Sequence, residues 1–257
     1  MHHHHIDRYA QGRSPIHALD ARAKIVAVGA YLFVLISFNR YAVSALAPMA
    51  VWPAGLLLVA GVPVRFALRR VLILSPFILF LALACPFYDR APHAVAFGPW
   101  QFTVSGGWLT AADVAGKFAL GVIALTALMC TTPFALLLEA LRWFRVPKLL
   151  VMQLGFLYRY LFVLMGEAMR LRRARDFRGA HLAPVRRRLA AVGGVVGSLL
   201  VRTLDRSDRI HLAMRARGYR GEPHALKRLR FRAVDAVFLL GAAAYLALCR
   251  GPLAGLL

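Results

Sequence analysis

Apolar and polar positions in this chain fall into long blocks rather than the short alternations of a water-soluble domain. The first 24 residues are polar and charged, carrying Asp7, Arg8, Arg13, Asp20, Arg22 and Lys24. An apolar run follows from Ile25 to Phe38 and is broken by Asn39-Arg40. A second, from Tyr41 to Val62, holds Pro48 and Pro53, and a third runs from Val71 to about Phe87 and holds Pro76. After a polar, aromatic, Gly/Pro-rich stretch, from Tyr88 to about Trp108, a fourth run extends from Ala111 to Thr132. The last covers Ala233 to Cys249. Apolar runs approaching 20 residues read as membrane helices, because in lipid only helices and closed barrels satisfy every backbone polar group. The first run is short for a crossing at about 1.5 Å per residue and is expected to extend back toward Ala21. The pattern predicts an all-α polytopic membrane protein with about five transmembrane helices.

Composition agrees with that reading. The 257 residues are 60% hydrophobic and 17% charged, against about 25% charged in soluble domains. The polar start and late first run argue against a cleavable leader. Cys85, Cys130 and Cys249 are far apart, show no zinc or disulfide spacing, and read as small buried hydrophobes.

Charge sets the direction. Basic residues stay preferentially on the cytoplasmic side. They occur in the head and again at Arg65, Arg69 and Arg70, whereas the 88–108 stretch has only Arg90 beside Trp100 and Trp108. Head inside, first turn outside, second inside and aromatic loop outside form a consistent alternation. The expected divisions are a cytoplasmic segment 1–24, helices one to four over 25–132, a basic cytoplasmic region 133–232 and a final transmembrane helix 233–257.

That basic region dominates the charge. Residues 140–232 hold 22 Lys and Arg against 5 Asp and Glu, net +17 of the chain's +22. Its apolar periodicity predicts two long helices rather than a disordered tail. One is apolar from Leu149 to Met169 and then strongly basic through Arg178. The other opens basic after Pro184, turns apolar from Leu189 to Val201 and runs to about Tyr219. The sequence leaves open whether either apolar half crosses the bilayer or lies along its cytoplasmic face. In the second helix Gly193 and Gly197 form a small-xxx-small pair suited to close helix packing; the frequency of glycine in apolar helices accounts for it equally well. The i,i+4 pairs Asp113/Lys117 and Asp205/Arg209 read as local charge neutralisation, worth a few tenths of a kcal/mol when exposed.

The two helices end alike. Arg173-Ala174-Arg175-Asp176-Phe177-Arg178-Gly179 and Arg215-Ala216-Arg217-Gly218-Tyr219-Arg220-Gly221 share the form R-A-R-[DG]-aromatic-R-G, with their central arginines 42 residues apart. Alanine permits close approach, arginine offers a rigid fork for carboxylates, and the later glycine is a natural helix stop. An arginine presented twice fits two acidic sockets on a twofold-symmetric partner.

Here the chain resembles the transmembrane (T) component of energy-coupling factor (ECF) transporters, of the cobalt-type CbiQ family. The resemblance rests on His5-Ile6-Asp7-Arg8-Tyr9-Ala10, on Leu19-Asp20-Ala21-Arg22-Ala23-Lys24, on Ala174-Arg175-Asp176 and on Ala216-Arg217-Gly218. Asp176 departs from the small residue of the signature. The resemblance implies a non-catalytic coupling subunit in the inner membrane. Its two coupling helices would dock into grooves of two ATP-binding-cassette ATPases, and its membrane part would hold a substrate-binding S component, with room for a small accessory membrane subunit. On this carry-over Arg175 and Arg217 are the docking charges, and Ala174, Asp176, Ala216 and Gly218 complete the two triplets. The substrate it implies is cobalt, with nickel or a vitamin such as biotin as the alternative.

No G-x-x-x-x-G-K-[ST] loop occurs, so ATP is expected on partner ATPases and no cofactor on this chain. His2 to His5 bind cobalt, nickel or zinc only weakly as a run and equally suit an expression tag; the other histidines are dispersed, and no metal site is expected. A membrane-embedded lipid enzyme would need clustered intramembrane acids or histidines, which the apolar runs lack. A basic surface of this kind also suits anionic membrane lipids; nucleic acid is not an expected partner.

Overall fold

The computed structural model describes residues 9–10, 12, 14–39, 46–88, 92–97, 100–179, 184–219 and 231–251. Within these the protein is helical, apart from one antiparallel hairpin in the loop expected outside the membrane. The helices are α1 (Pro15–Ala18), α2 (Ala21–Ser37), α3 (Leu46–Val59) and α4 (Val64–Tyr88), followed by the strands β1 (Pro92–Phe97) and β2 (Trp100–Ser105). Then come α5 (Gly106–Thr131), α6 (Phe134–Trp143), α7 (Lys148–Phe177), α8 (Val185–Ala216) and α9 (Ala233–Arg250). In the hairpin Pro92 pairs with Ser105 and Phe97 with Trp100.

Four of the described helices are long and apolar enough to cross a membrane: Val64–Pro86, Gly106–Thr131, Lys148–Phe177 and Ala233–Arg250. The count differs from the sequence expectation in composition. The first two expected spans form helices of 17 and 14 residues, while α7 has the length and apolarity of a span. The basic trio Arg65, Arg69 and Arg70 lies inside α4 rather than in the connection before it. The helix begins early because Gly61, with φ +68°, closes α3 by donating to the Leu58 carbonyl (3.0 Å). The chain then restarts directly after Pro63.

The chain divides into two compact units. One comprises residues 6–137 and 229–257. Its core gathers Val28, Tyr31 and Leu35 of α2, Leu46 and Met49 of α3, Ala124 of α5, and Leu246 and Cys249 of α9. Tyr31 is fully buried; it stacks on Trp52 at 5.0 Å and donates its hydroxyl to the Met49 carbonyl (3.0 Å). Apolar side chains also cover the outside. On α4, Phe77 and Phe80 are each 78% exposed, as expected where lipid rather than water is the solvent.

The other unit comprises residues 1–5 and 138–228, and its described part holds α7 and α8. They are joined by Arg202 of α8, which donates to Glu167 of α7 at 2.7 Å. Arg170 bonds the same carboxylate.

Candidate coupling surface

Both expected signatures lie at helix ends. α7 carries Ala174, Arg175 and Asp176 in its last turn, ending at Phe177. Gly179 follows with φ +73°, the left-handed conformation that glycine adopts without Cβ strain. α8 ends at Ala216, with Arg217 as its C-cap and Gly218 at φ +76°. The Gly218 N–H donates to Arg215 O and the Tyr219 N–H to Met214 O, each at 3.0 Å. This places a Schellman-type closure at the triplet's own glycine. The two stops therefore fall at different points of the shared motif, and Gly221 lies outside the described residues.

The arginines differ in consequence. Arg175 is three-quarters buried and donates through Nε (3.1 Å) and Nη2 (2.7 Å) to Asp176 Oδ1. Asp176 also faces Arg172 at 3.9 Å. Arg217 is exposed and has no side-chain partner among the described residues. The aromatics differ too. Phe177 is 91% exposed, whereas Tyr219 is half-buried and its hydroxyl meets Met152 Sδ.

Two cavities flank these ends within the unit. One of about 430 Å³ is lined by Met152, Phe156 and Tyr160 of α7 and by Arg206, His211 and Met214 of α8. The other, about 610 Å³, is bordered by Arg175, Arg178 and Arg202 over a floor that includes Ala174, Gly194 and Ser198. Gly193 and Gly197 face open space: a Cβ at either meets nothing within 4 Å.

Of the i,i+4 pairs, Asp113 and Lys117 neutralise each other as expected, bonded at 2.8 Å, with Asp113 buried and Lys117 half-buried. Lys117 also donates to the Phe38 carbonyl at the end of α2 (2.8 Å). Arg209 bonds the backbone carbonyl of Asp205 at 3.2 Å rather than its carboxylate.

Sequence reasoning missed Asp235. Buried at the start of α9, it accepts the N–H of Asp20 (2.7 Å) through Oδ1 and that of Arg232 (2.7 Å) through Oδ2. Asp20 in turn caps α2 by accepting from Arg22 N (2.8 Å). Lys24 donates to the Thr131 carbonyl (2.9 Å) at the end of α5. The signal available was a lone acid opening an otherwise apolar run. His5 to Arg8 and the His2–His5 run lie outside the described residues.

Apolar helices with lipid-type surfaces, together with a basic helical pair ending in two arginine signatures, define a polytopic helical membrane protein. The model of the cobalt transport protein family CbiQ matches residues 12–227, and the chain belongs to that family, the T components of ECF transporters. The ECF transporter transmembrane protein EcfT of Bacillus subtilis (strain 168) is 26% identical over 232 residues, 84% of each chain. That of Listeria innocua is 28% identical over 251 residues, 93% of this chain and 94% of its own. The cobalt transport protein CbiQ of Rhodobacter capsulatus is 39% identical over 99 residues, 38% of this chain and 40% of its own.

Proposed function

We propose that this chain is the non-catalytic coupling subunit of an ATP-driven importer in the cell inner membrane. It would convert the movement of two ATP-binding-cassette ATPases into tilting of a substrate-binding S component. The observation that carries this reading is the pair of R-A-R signatures at the ends of α7 and α8 in a chain of this family. ATP binds the partners. When their two grooves change spacing, helix ends seated in them follow, and long helices carry the displacement toward the membrane. The open Gly193/Gly197 face gives a partner membrane helix room for close backbone approach.

Cobalt is the proposed cargo, supported by the family description and by the local similarity to the Rhodobacter capsulatus protein. The relatives matched over most of their length carry the EcfT name without a substrate, which favours a second reading in which the subunit serves a nickel or vitamin importer. Purification of the subunit from its native membrane identifies its partners by mass, and radiolabelled cobalt uptake separates the two cargoes. Arg217→Glu should lower ATPase retention at least about 30-fold, since truncating or reversing one partner of an interfacial charge pair costs about 2–5 kcal/mol. ATP-driven uptake should fall with it. Unchanged retention and uptake would remove the coupling reading.

A further inference from the structure

The two signatures differ at one position, and that position decides what each helix end presents. In the second, Gly218 adopts positive φ and stops α8 after Ala216. The chain turns back, Tyr219 folds against Met152, and Arg217 is left exposed without a partner among the described residues. In the first, Asp176 stands where Gly218 stands. An aspartate disfavours the left-handed conformation that glycine takes freely, so α7 continues through Phe177 and stops only at Gly179. Three further helical residues, nearly one turn, change the aromatic's direction. Phe177 projects outward at 91% exposure, the highest of the large hydrophobic side chains among the described residues. The same aspartate holds Arg175 through two donors.

We propose that the two coupling ends dock by different chemistry: the first as an apolar plug through Phe177, the second as an ionic plug through Arg217. This inference rests on the coupling reading above and names what each ATPase groove must offer. The groove receiving α7 carries an apolar pocket the size of a phenyl ring. The groove receiving α8 carries a carboxylate for the guanidinium fork. Phe177 is not one of the lipid-facing apolar side chains in character. Arg172, Arg173, Arg175 and Arg178 surround it in sequence at a helix end, whereas Phe77 and Phe80 of α4 lie in a stretch, 71–88, without a charged residue. A phenyl ring left in water at such an end gains by desolvation in a partner. An arginine already satisfied by Asp176 gains little from a second carboxylate.

The test uses the full-length subunit with the ATPases that co-purify with it from its native membrane, measuring ATPase retention as salt is raised from about 0.05 to about 0.5 M, where exposed charges become screened. Phe177→Ala should weaken retention about 10- to 100-fold, equally at low and high salt. Phe177→Leu should restore most of it. Arg217→Ala should weaken retention mainly at low salt and flatten the salt dependence, while Arg175→Ala should weaken it less and leave the salt dependence in place. Asp176→Gly, which recreates the earlier helix stop, should make the first end salt-sensitive. Equal losses from Arg175→Ala and Arg217→Ala, with Phe177→Ala neutral, would overturn the inference and leave two ionic ends, with the coupling reading intact. Loss of binding to anionic phospholipid vesicles in Phe177→Ala, with ATPase retention unchanged, would also overturn it. If no variant alters retention, the coupling reading itself falls.

Discussion

Lys117 does two things from one position in α5. It neutralises Asp113 and it satisfies the last carbonyl of α2 at Phe38. A pair whose carboxylate is buried adds little when compared with an apolar replacement of both partners, but removing the lysine leaves that buried charge uncompensated. Lys117→Met should therefore destabilise the protein by about 3 kcal/mol or more, read as a lower thermal midpoint in detergent. Adding Asp113→Asn should recover a large part of that loss; if the double variant is as unstable as the single, the pair is not the cause. The spacing of these residues was legible in the sequence, but the burial of Asp113 was not. An i,i+4 pattern records only that two side chains share a helix face, and which neighbour covers that face is a tertiary fact. Asp235 was hidden for a similar reason. Its partners are backbone N–H groups, one of them 215 residues away, and backbone donors leave no signature in side-chain pattern.

At the level of elements, the apolar blocks located the helices because a lipid solvent imposes a simple requirement on them. The boundaries of α7 and α9 lie within a few residues of the sequence expectation, and α5 ends within one residue of it but begins at Gly106 rather than Ala111. What escaped was α6 and the backbone pairing of β1 with β2, since a short amphipathic helix and a polar hairpin both resemble loop composition. The two arginine-bearing helix ends were legible as motifs, yet their difference depended on one backbone dihedral at Gly218, which sequence similarity between the two repeats concealed. The glycine face of α8 offers a test at this scale. Because a Cβ at Gly193 or Gly197 meets nothing in this chain, Gly193→Leu with Gly197→Leu should leave the subunit's own stability within about 0.5 kcal/mol. The same change should reduce recovery of any membrane partner that packs there. Loss of stability in the subunit alone would show that the face is already used within it.

For the molecule as a whole, α7 poses the topological question. It is long and apolar enough to cross, but its final turns carry Arg170, Arg172, Arg173 and Arg175, and α8 opens with Arg186, Arg187 and Arg188. A crossing would carry these to the outer side, against the strong retention of Lys and Arg in the cytoplasm. A cysteine at position 186, in a protein with Cys85, Cys130 and Cys249 replaced by alanine, should react with a membrane-impermeant maleimide in inside-out vesicles and stay unlabelled in intact cells. Labelling in intact cells would make α7 a true span.

The bond between Asp20 and Asp235, with α2 packed on α9 in one core, carries a consequence for biosynthesis. The helices α2 and α9 are mutual partners, so the scaffold closes only once α9 has been synthesised. At elongation rates of about 5–20 residues per second, α2 waits on the order of tens of seconds for α9. Before it ends α7 and α8 have been synthesised, while the backbone N–H of Asp20 still lacks its carboxylate. A nascent chain halted before residue 233 would thus carry both arginine signatures on an unfinished scaffold.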